Sequence, residues 1–119
     1  MEFTIAFYEK TDGICPAMEF IKGLDDKMKA KMLRTIELLQ YFGPNLREPY
    51  SKFLGDGIFE LRSQVGNNIS RVLYFFVVEQ RVVITNGFIK KTQKTPKNEI
   101  ELAKKYRIDY LSKEKIKNG

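Results

Sequence analysis

Three short segments follow one another closely in the second half of the chain, and each is rich in β-branched and aromatic residues. They span residues 58–62, 69–78 and 81–88. Val65-Gly66-Asn67-Asn68 separates the first two, and Glu79-Gln80 separates the last two. A two-residue link of this kind predicts a tight antiparallel hairpin. The chain is therefore constrained to fold around a small antiparallel sheet.

The first half of the chain predicts one more strand and a short helix. Phe3, Ile5 and Phe7 alternate with polar or small residues, which is typical of a strand with one buried face. Pro16 suits the first turn of a helix, and Gly23 is placed to end it. The predicted sheet therefore begins close to the N-terminus.

A second helix is expected to follow almost directly. Asp25 or Asp26 can cap its N-terminus, and Gly43-Pro44 stops it. Its apolar residues recur at helical spacing and are Met28, Met32, Ile36 and Leu39. We interpret the methionines as core packing rather than as a groove for a partner. The two helices together predict a helical hairpin.

A last helix completes the predicted architecture. Thr95 offers a cap with Pro96 at the first helical position, and residues 113–119 are expected to fray. The apolar stripe of this helix contains Ile100, Ala103, Tyr106 and Tyr110. We therefore expect one α+β domain over residues 1–119, in which a small antiparallel sheet with a mixed edge packs against the helical hairpin and the C-terminal helix.

Composition excludes several classes of chemistry. The chain has no histidine and one cysteine, Cys15, so it offers no Cys/His cluster for a metal and no internal disulfide. No metal or other cofactor is expected. A histidine general base and a metal-bound hydroxide are both missing, so catalysis would have to use Arg, Lys, Tyr, Glu or Asp.

Neither a membrane span nor a secretion signal is expected. No stretch approaches the roughly 18 apolar residues that a spanning helix requires, and the first seven residues have the pattern of a strand rather than of a signal peptide. We therefore expect a cytoplasmic protein.

The formal net charge of +6 is concentrated in the last third of the chain. Residues 87–119 carry ten Lys/Arg and four Asp/Glu, which by itself gives +6. This pattern indicates either a solvated lysine-rich helix or a face that binds a polyanion.

Some basic residues lie in or beside the predicted sheet. Arg62 ends the first sheet segment, Arg71 begins the second, and Lys90-Lys91 follows the third. An arginine fork suits a phosphate group, and a lysine adds charge or donates a proton. Such a set can serve RNA cleavage, in which the 2′-hydroxyl of the substrate is the nucleophile. Glu60 lies two residues from Arg62, so an ion pair between them is the competing interpretation.

Several segments resemble the phage-derived HigB-type branch of the RelE/ParE toxins. The most specific is Gly87-Phe88-Ile89-Lys90-Lys91-Thr92-Gln93-Lys94-Thr95-Pro96, followed by Glu99-Ile100 and Ala103. The others are Lys52-Phe53-Leu54, Gly57-Ile58-Phe59-Glu60-Leu61-Arg62 and Ser70-Arg71-Val72-Leu73-Tyr74-Phe75-Phe76. The resemblance extends from the first strand to Tyr110 and implies a RelE-like fold.

The resemblance also implies a function. Such a toxin belongs to a type II toxin–antitoxin pair, enters the ribosome and cleaves mRNA there without a metal. Its partner would be a HigA-like antitoxin with a helix-turn-helix domain. Only the antitoxin would bind DNA, and the toxin would not contact it directly. Toxin and antitoxin would assemble as a heterotetramer.

Site residues follow from the same resemblance. Arg71 would contact the scissile phosphate, with Lys90 and Lys91 beside it and Arg62 and Glu60 as further catalytic candidates. The candidate RNA-binding residues are Lys52, Lys94 and Lys97. Glu60 stands where the RelE branch carries lysines, and no catalytic tyrosine follows the last strand, so the general acid and base remain open.

Two other functions fit the same residues. ParE-like toxins share the fold and inhibit DNA gyrase, and a noncatalytic RNA-binding protein would also need a basic surface.

Overall fold

A five-stranded mixed sheet forms the centre of the computed structural model, which describes residues 2–78, 80–89 and 94–118. The strand order is β1-β5-β4-β3-β2, in which β1 pairs with β5 in parallel and the other pairs are antiparallel. The strands are β1 (Thr4–Phe7), β2 (Ser51–Gly55), β3 (Ile58–Val65), β4 (Asn68–Val77) and β5 (Arg81–Ile89). The helices are α1 (Pro16–Lys22), α2 (Asp26–Phe42) and α3 (Lys97–Asn118). This confirms the α+β architecture and is consistent with a RelE-like fold.

Helices α1 and α2 cover one face of the sheet. Asp25 caps α2, because its Oδ1 accepts a hydrogen bond from the Met28 backbone N–H at 2.9 Å. Met28 and Met32 are buried, which confirms that the methionine stripe is core packing. Gly43 ends α2 with φ +54, and a Cβ there would collide with the Phe3 ring. Glycine therefore lets the first strand approach the end of α2 closely.

Helix α3 covers the opposite face. Tyr106 stacks on Tyr8 with 4.5 Å between ring centroids, and Tyr110 packs edge-on against Phe75. These contacts confirm the predicted stripe. The Lys113 Nζ donates to the Glu9 carbonyl at 3.2 Å, within a helix that extends to Asn118. No helix in the described ranges is long and apolar enough to cross a membrane.

Two predicted details differ in the structure. Strand β2 was not predicted, so the order after the helices is four strands rather than three. Helix α3 begins at Lys97 rather than at Pro96. The Pro96 carbonyl accepts the first hydrogen bonds of the helix, and the Thr95 hydroxyl points away from it to Glu60.

Candidate functional site

Two arginines lie side by side on the α3 face of the sheet. The register pairs Arg62 on β3 directly with Arg71 on β4. Leu61, the residue before Arg62 on β3, packs on the other face of the sheet with α1 and α2. Directly opposed like charges destabilise a sheet unless another group compensates them. A compensating carboxylate is therefore required nearby.

Glu60 supplies that carboxylate and is fully buried. Its Oε1 accepts hydrogen bonds from Arg62 Nε at 2.9 Å and from Arg71 Nη1 at 2.5 Å. Its Oε2 accepts one from the Thr95 hydroxyl at 2.5 Å. The predicted Glu60–Arg62 ion pair is thus present, and Arg71 and Thr95 extend it.

These contacts set the charge state of Glu60. Burial would raise the pKa of the Glu60 carboxyl, but the hydrogen bonds from Thr95, Arg62 and Arg71 outweigh burial and hold this pKa below its usual value. The carboxylate is therefore ionised at neutral pH. Arg62 Nη1 also lies 3.7 Å from the exposed Glu48 carboxylate, so the two guanidinium charges face one buried and one exposed carboxylate.

Arg71 keeps one hydrogen-bond donor unused. The residue is 4% exposed, and its Nε has no hydrogen-bond partner in the described part of the chain. A buried donor without a partner costs about 1–3 kcal/mol. Arg71 and Arg62 also line a cleft of about 550 Å³, whose other walls include Tyr50 and, from α2, Lys31 and Thr35. The unused donor and the cleft together are suited to an anionic ligand.

The predicted lysines are distributed around this cluster. Lys52 on β2 is exposed and pairs in register with Glu60. Lys94 is exposed and immediately precedes Thr95, and Lys97 is the exposed first residue of α3. Lys90 and Lys91 lie outside the described residues. The structure therefore brings Arg62, Arg71, Lys52 and Lys94 to the surroundings of one carboxylate.

Sequence reasoning missed a polar network beside the cluster. Asn86 on β5 is 3% exposed, and its Nδ2 donates to Glu99 Oε1 at 3.0 Å and to the Glu99 carbonyl at 3.3 Å. The Thr85 hydroxyl donates to Asn86 Oδ1 at 2.6 Å. The available signal was Thr85-Asn86-Gly87, a polar and flexible interruption within an apolar strand.

The cluster combines two guanidinium groups with nearby lysines, a set of donors that suits an anion. Its buried carboxylate accepts from three donors. Among the residues that the structure describes, no group of three or more Cys, Asp or Glu could hold a metal ion.

Comparison with known proteins identifies the family of the chain. No curated protein sequence matches the chain. Residues 19–107 match the family described as Phage derived protein Gp49-like (DUF891), and this range is well over half of the 119 residues. The chain therefore belongs to the phage-derived Gp49-like family, a RelE/toxin-like family of toxin–antitoxin systems.

Proposed function

We propose that this protein is a HigB-like toxin that cleaves mRNA on the ribosome. The observation that carries the proposal is the unused Nε–H of Arg71, which is buried beside a cleft that Arg62 also lines. A phosphate oxygen would accept this hydrogen bond and face the Arg62 guanidinium at the same time. Membership of a toxin family adds independent support.

The proposed reaction uses the RNA as its own nucleophile. The ribose 2′-hydroxyl loses its proton to solvent water as its oxygen attacks the adjacent phosphorus, the bond to the 5′-oxygen breaks, and a 2′,3′-cyclic phosphate and a 5′-hydroxyl result. Arg71 and Arg62 would stabilise the negative charge that develops on the phosphate oxygens. Lys90 and Lys91 are our candidates for protonating the leaving oxygen.

Glu60 has a different part in this proposal. Its two oxygens already accept hydrogen bonds from Thr95 and the two arginines, and its pKa is low, so it is a poor proton acceptor. We assign it the role of holding the two guanidinium groups in place. Lys52, Lys94 and Lys97 would bind the flanking phosphates of the RNA.

The family implies an antitoxin partner. We propose that this partner is a HigA-like helix-turn-helix protein and that the two assemble as a heterotetramer.

The test is to express the full chain briefly in bacteria and to map the 5′ ends of cellular mRNAs, with and without ongoing translation. Arg71→Lys keeps a positive charge beside Glu60 but removes the planar guanidinium group and with it the Nε–H donor. We expect it to lower cleavage by at least about ten-fold, the effect of losing a hydrogen bond to a charged group. Arg34→Lys is the matched control, because Arg34 is exposed on α2.

New ends within translated codons, lost with Arg71→Lys and when translation is blocked, support the proposal. Toxicity with intact mRNA and a DNA-damage response would overturn it in favour of gyrase inhibition. Circular dichroism and thermal unfolding of purified Arg71→Lys establish that the variant is folded.

A further inference from the structure

We infer that Asn86 and Glu99 form a clamp that positions Thr95, and through it Glu60, at the arginine cluster. The inference rests on the proposed function, because it assigns a positioning residue to the same site. The hydrogen bonds of Asn86 join it to Thr85 and Glu99 rather than to the arginines. The effect of the clamp would pass through the short segment between Thr95 and the first turn of α3.

The clamp originates in a β-bulge. Val72 on β4 pairs with Gly87 on β5, whereas Tyr74 pairs with Ile84. Thr85 and Asn86 therefore oppose Leu73 alone, and a bulge of this kind redirects a side chain that regular pairing would place elsewhere. Here the redirected side chain is Asn86, which reaches the first turn of α3.

The side-chain amide of Asn86 is held on both sides. Both partners of Nδ2 are oxygens of Glu99, and the partner of Oδ1 is the Thr85 hydroxyl. The Thr85 hydroxyl also lies 3.2 Å from the Leu73 carbonyl. Because acceptors surround the nitrogen and a donor faces the oxygen, only one orientation of the amide satisfies every contact. The position of Glu99 relative to β5 is therefore well defined.

A short link connects the clamp to the cluster. Only Pro96, Lys97 and Asn98 separate Glu99 from Thr95, and the Glu99 N–H donates to the Pro96 carbonyl at 3.1 Å. The proline ring fixes one backbone angle in this link. A shift of Glu99 would therefore move Thr95.

A shift of Glu99 would affect the arginine cluster through Thr95. Its hydroxyl holds Oε2 of Glu60, which leaves Oε1 for both arginines. Without that hydrogen bond the carboxylate can rotate and release the Arg71 guanidinium from its place beside the cleft. Asn86 is thus a positioning residue rather than a catalytic residue.

The test exchanges the donor and the acceptor of the clamp. Asn86→Asp sets two carboxylates against each other, and Asn86→Asp combined with Glu99→Gln restores one donor facing one acceptor. We expect Asn86→Asp to slow single-turnover RNA cleavage at saturating ribosomes by about ten-fold or more, the effect of losing a hydrogen bond to a charged group. The double variant should recover the part of that loss that belongs to the side-chain pair, because the Glu99 backbone carbonyl still lacks its donor. Glu101→Gln, exposed on the same helix, should change nothing.

A spectroscopic readout separates this inference from the proposed function. The ¹H–¹⁵N signal of the Arg71 Nε–H is recorded in the free protein and during titration with inorganic phosphate. Asn86→Asp should move this signal and weaken its response to phosphate, and the double variant should return both toward the wild type. A purely structural anchor of α3 would change stability without this reciprocal rescue.

Each result decides one of the two claims. A disturbed and rescued Arg71 signal in a protein that cuts no RNA supports the clamp and overturns the proposed nuclease. Cleavage with an Arg71 signal that Asn86→Asp leaves unchanged overturns the clamp. If Asn86→Asp does not fold, Thr85→Val replaces it, since it removes the hydroxyl that donates to Asn86 Oδ1 and should move the same Arg71 signal. An unchanged signal in that variant overturns the clamp.

Discussion

At the scale of single residues, Glu60 determines whether two arginines can lie side by side in the sheet. The fully buried carboxylate accepts hydrogen bonds from Arg62, Arg71 and Thr95. Removing one member of such a cluster leaves uncompensated buried charge, which costs more than the net stability that the intact cluster contributes. The cluster therefore contributes mainly by fixing where the guanidinium groups point.

We predict that Glu60→Gln lowers the free energy of unfolding by about 3 kcal/mol at pH 7. The pKa of Glu60 is depressed in the folded state below the ordinary 4.5. Its stabilising contribution is therefore fully present above about pH 4.5 and is lost as the pH falls through the folded value. Urea unfolding at pH 7, 5 and 3 measures the difference between the two proteins.

That difference should shrink toward pH 3. Glu37→Gln, at an exposed position on α2, is the control and should show a small effect throughout. A Glu60→Gln effect of the same size at all three pH values would show that the charge of the carboxylate is irrelevant to stability.

Sequence spacing predicted part of this cluster and could not predict the rest. Glu60 and Arg62 share a strand face because they are two residues apart, so their ion pair follows from local geometry. Arg71 joins them only through the register of β3 on β4. The Thr95 hydroxyl was expected at a helix cap, since a local pattern cannot reveal a buried acceptor on a distant strand.

At the scale of elements, the start of α2 shows how a cap resolves an ambiguity in the sequence. Both Asp25 and Asp26 were candidates, and the side chain of Asp25 accepts from the Met28 N–H. We predict that Asp25→Ala destabilises the protein by about 1 kcal/mol. Asp26→Ala should cost only a few tenths of a kcal/mol, through its interaction with the helix dipole.

Chemical denaturation of both alanine variants provides the comparison. Equal losses would mean that the acidic charge, rather than the hydrogen bond of the cap, stabilises the start of α2.

Strand β2 was missed because its sequence carries weak strand signals. Ser51–Gly55 is short, follows Pro49 and ends at Gly55, where φ is +100. Its pairing with β3 also shifts register between Phe53 and Gly55. Tertiary contacts hold it instead, including a hydrogen bond between the hydroxyls of Ser51 and Tyr74. Local propensity therefore understated a strand that its neighbours define.

At the scale of the whole molecule, the sheet is covered by helices on both faces, and the site lies at one end of α3. The apolar stripes of the helices predicted burial but not which face each helix covers, because a stripe carries no information about direction. Toward its C-terminus, α3 is tied to the residue that follows β1 and to β5: Tyr8 donates to Asp109 at 2.5 Å and Arg81 donates to Tyr110 at 2.6 Å. Its first turn meets the arginine cluster through Thr95 and Glu99.

Because the site lies at one end of α3, RNA binding should depend on where the lysines lie and not on the net charge of the whole chain. Lys52 pairs in register with Glu60 and Lys97 lies two residues after Thr95, whereas Lys27 and Lys29 lie on α2, which packs on the other face of the sheet. Replacing either pair by alanine lowers the formal net charge of +6 by two. We predict that only the Lys52→Ala/Lys97→Ala variant reduces the slope of log Kd against log salt for a short single-stranded RNA.

That slope should fall by about 0.7 for each phosphate that the variant no longer neutralises, because neutralising a phosphate on single-stranded RNA releases a fraction of a counterion. Fluorescence anisotropy between low and physiological salt measures the slope without requiring cleavage or ribosomes. Equal slopes for the two double variants would mean that total charge governs binding and that the lysines around Glu60 have no special position. A selective decrease would place the path of the RNA across the α3 face, over the arginines that the buried carboxylate holds.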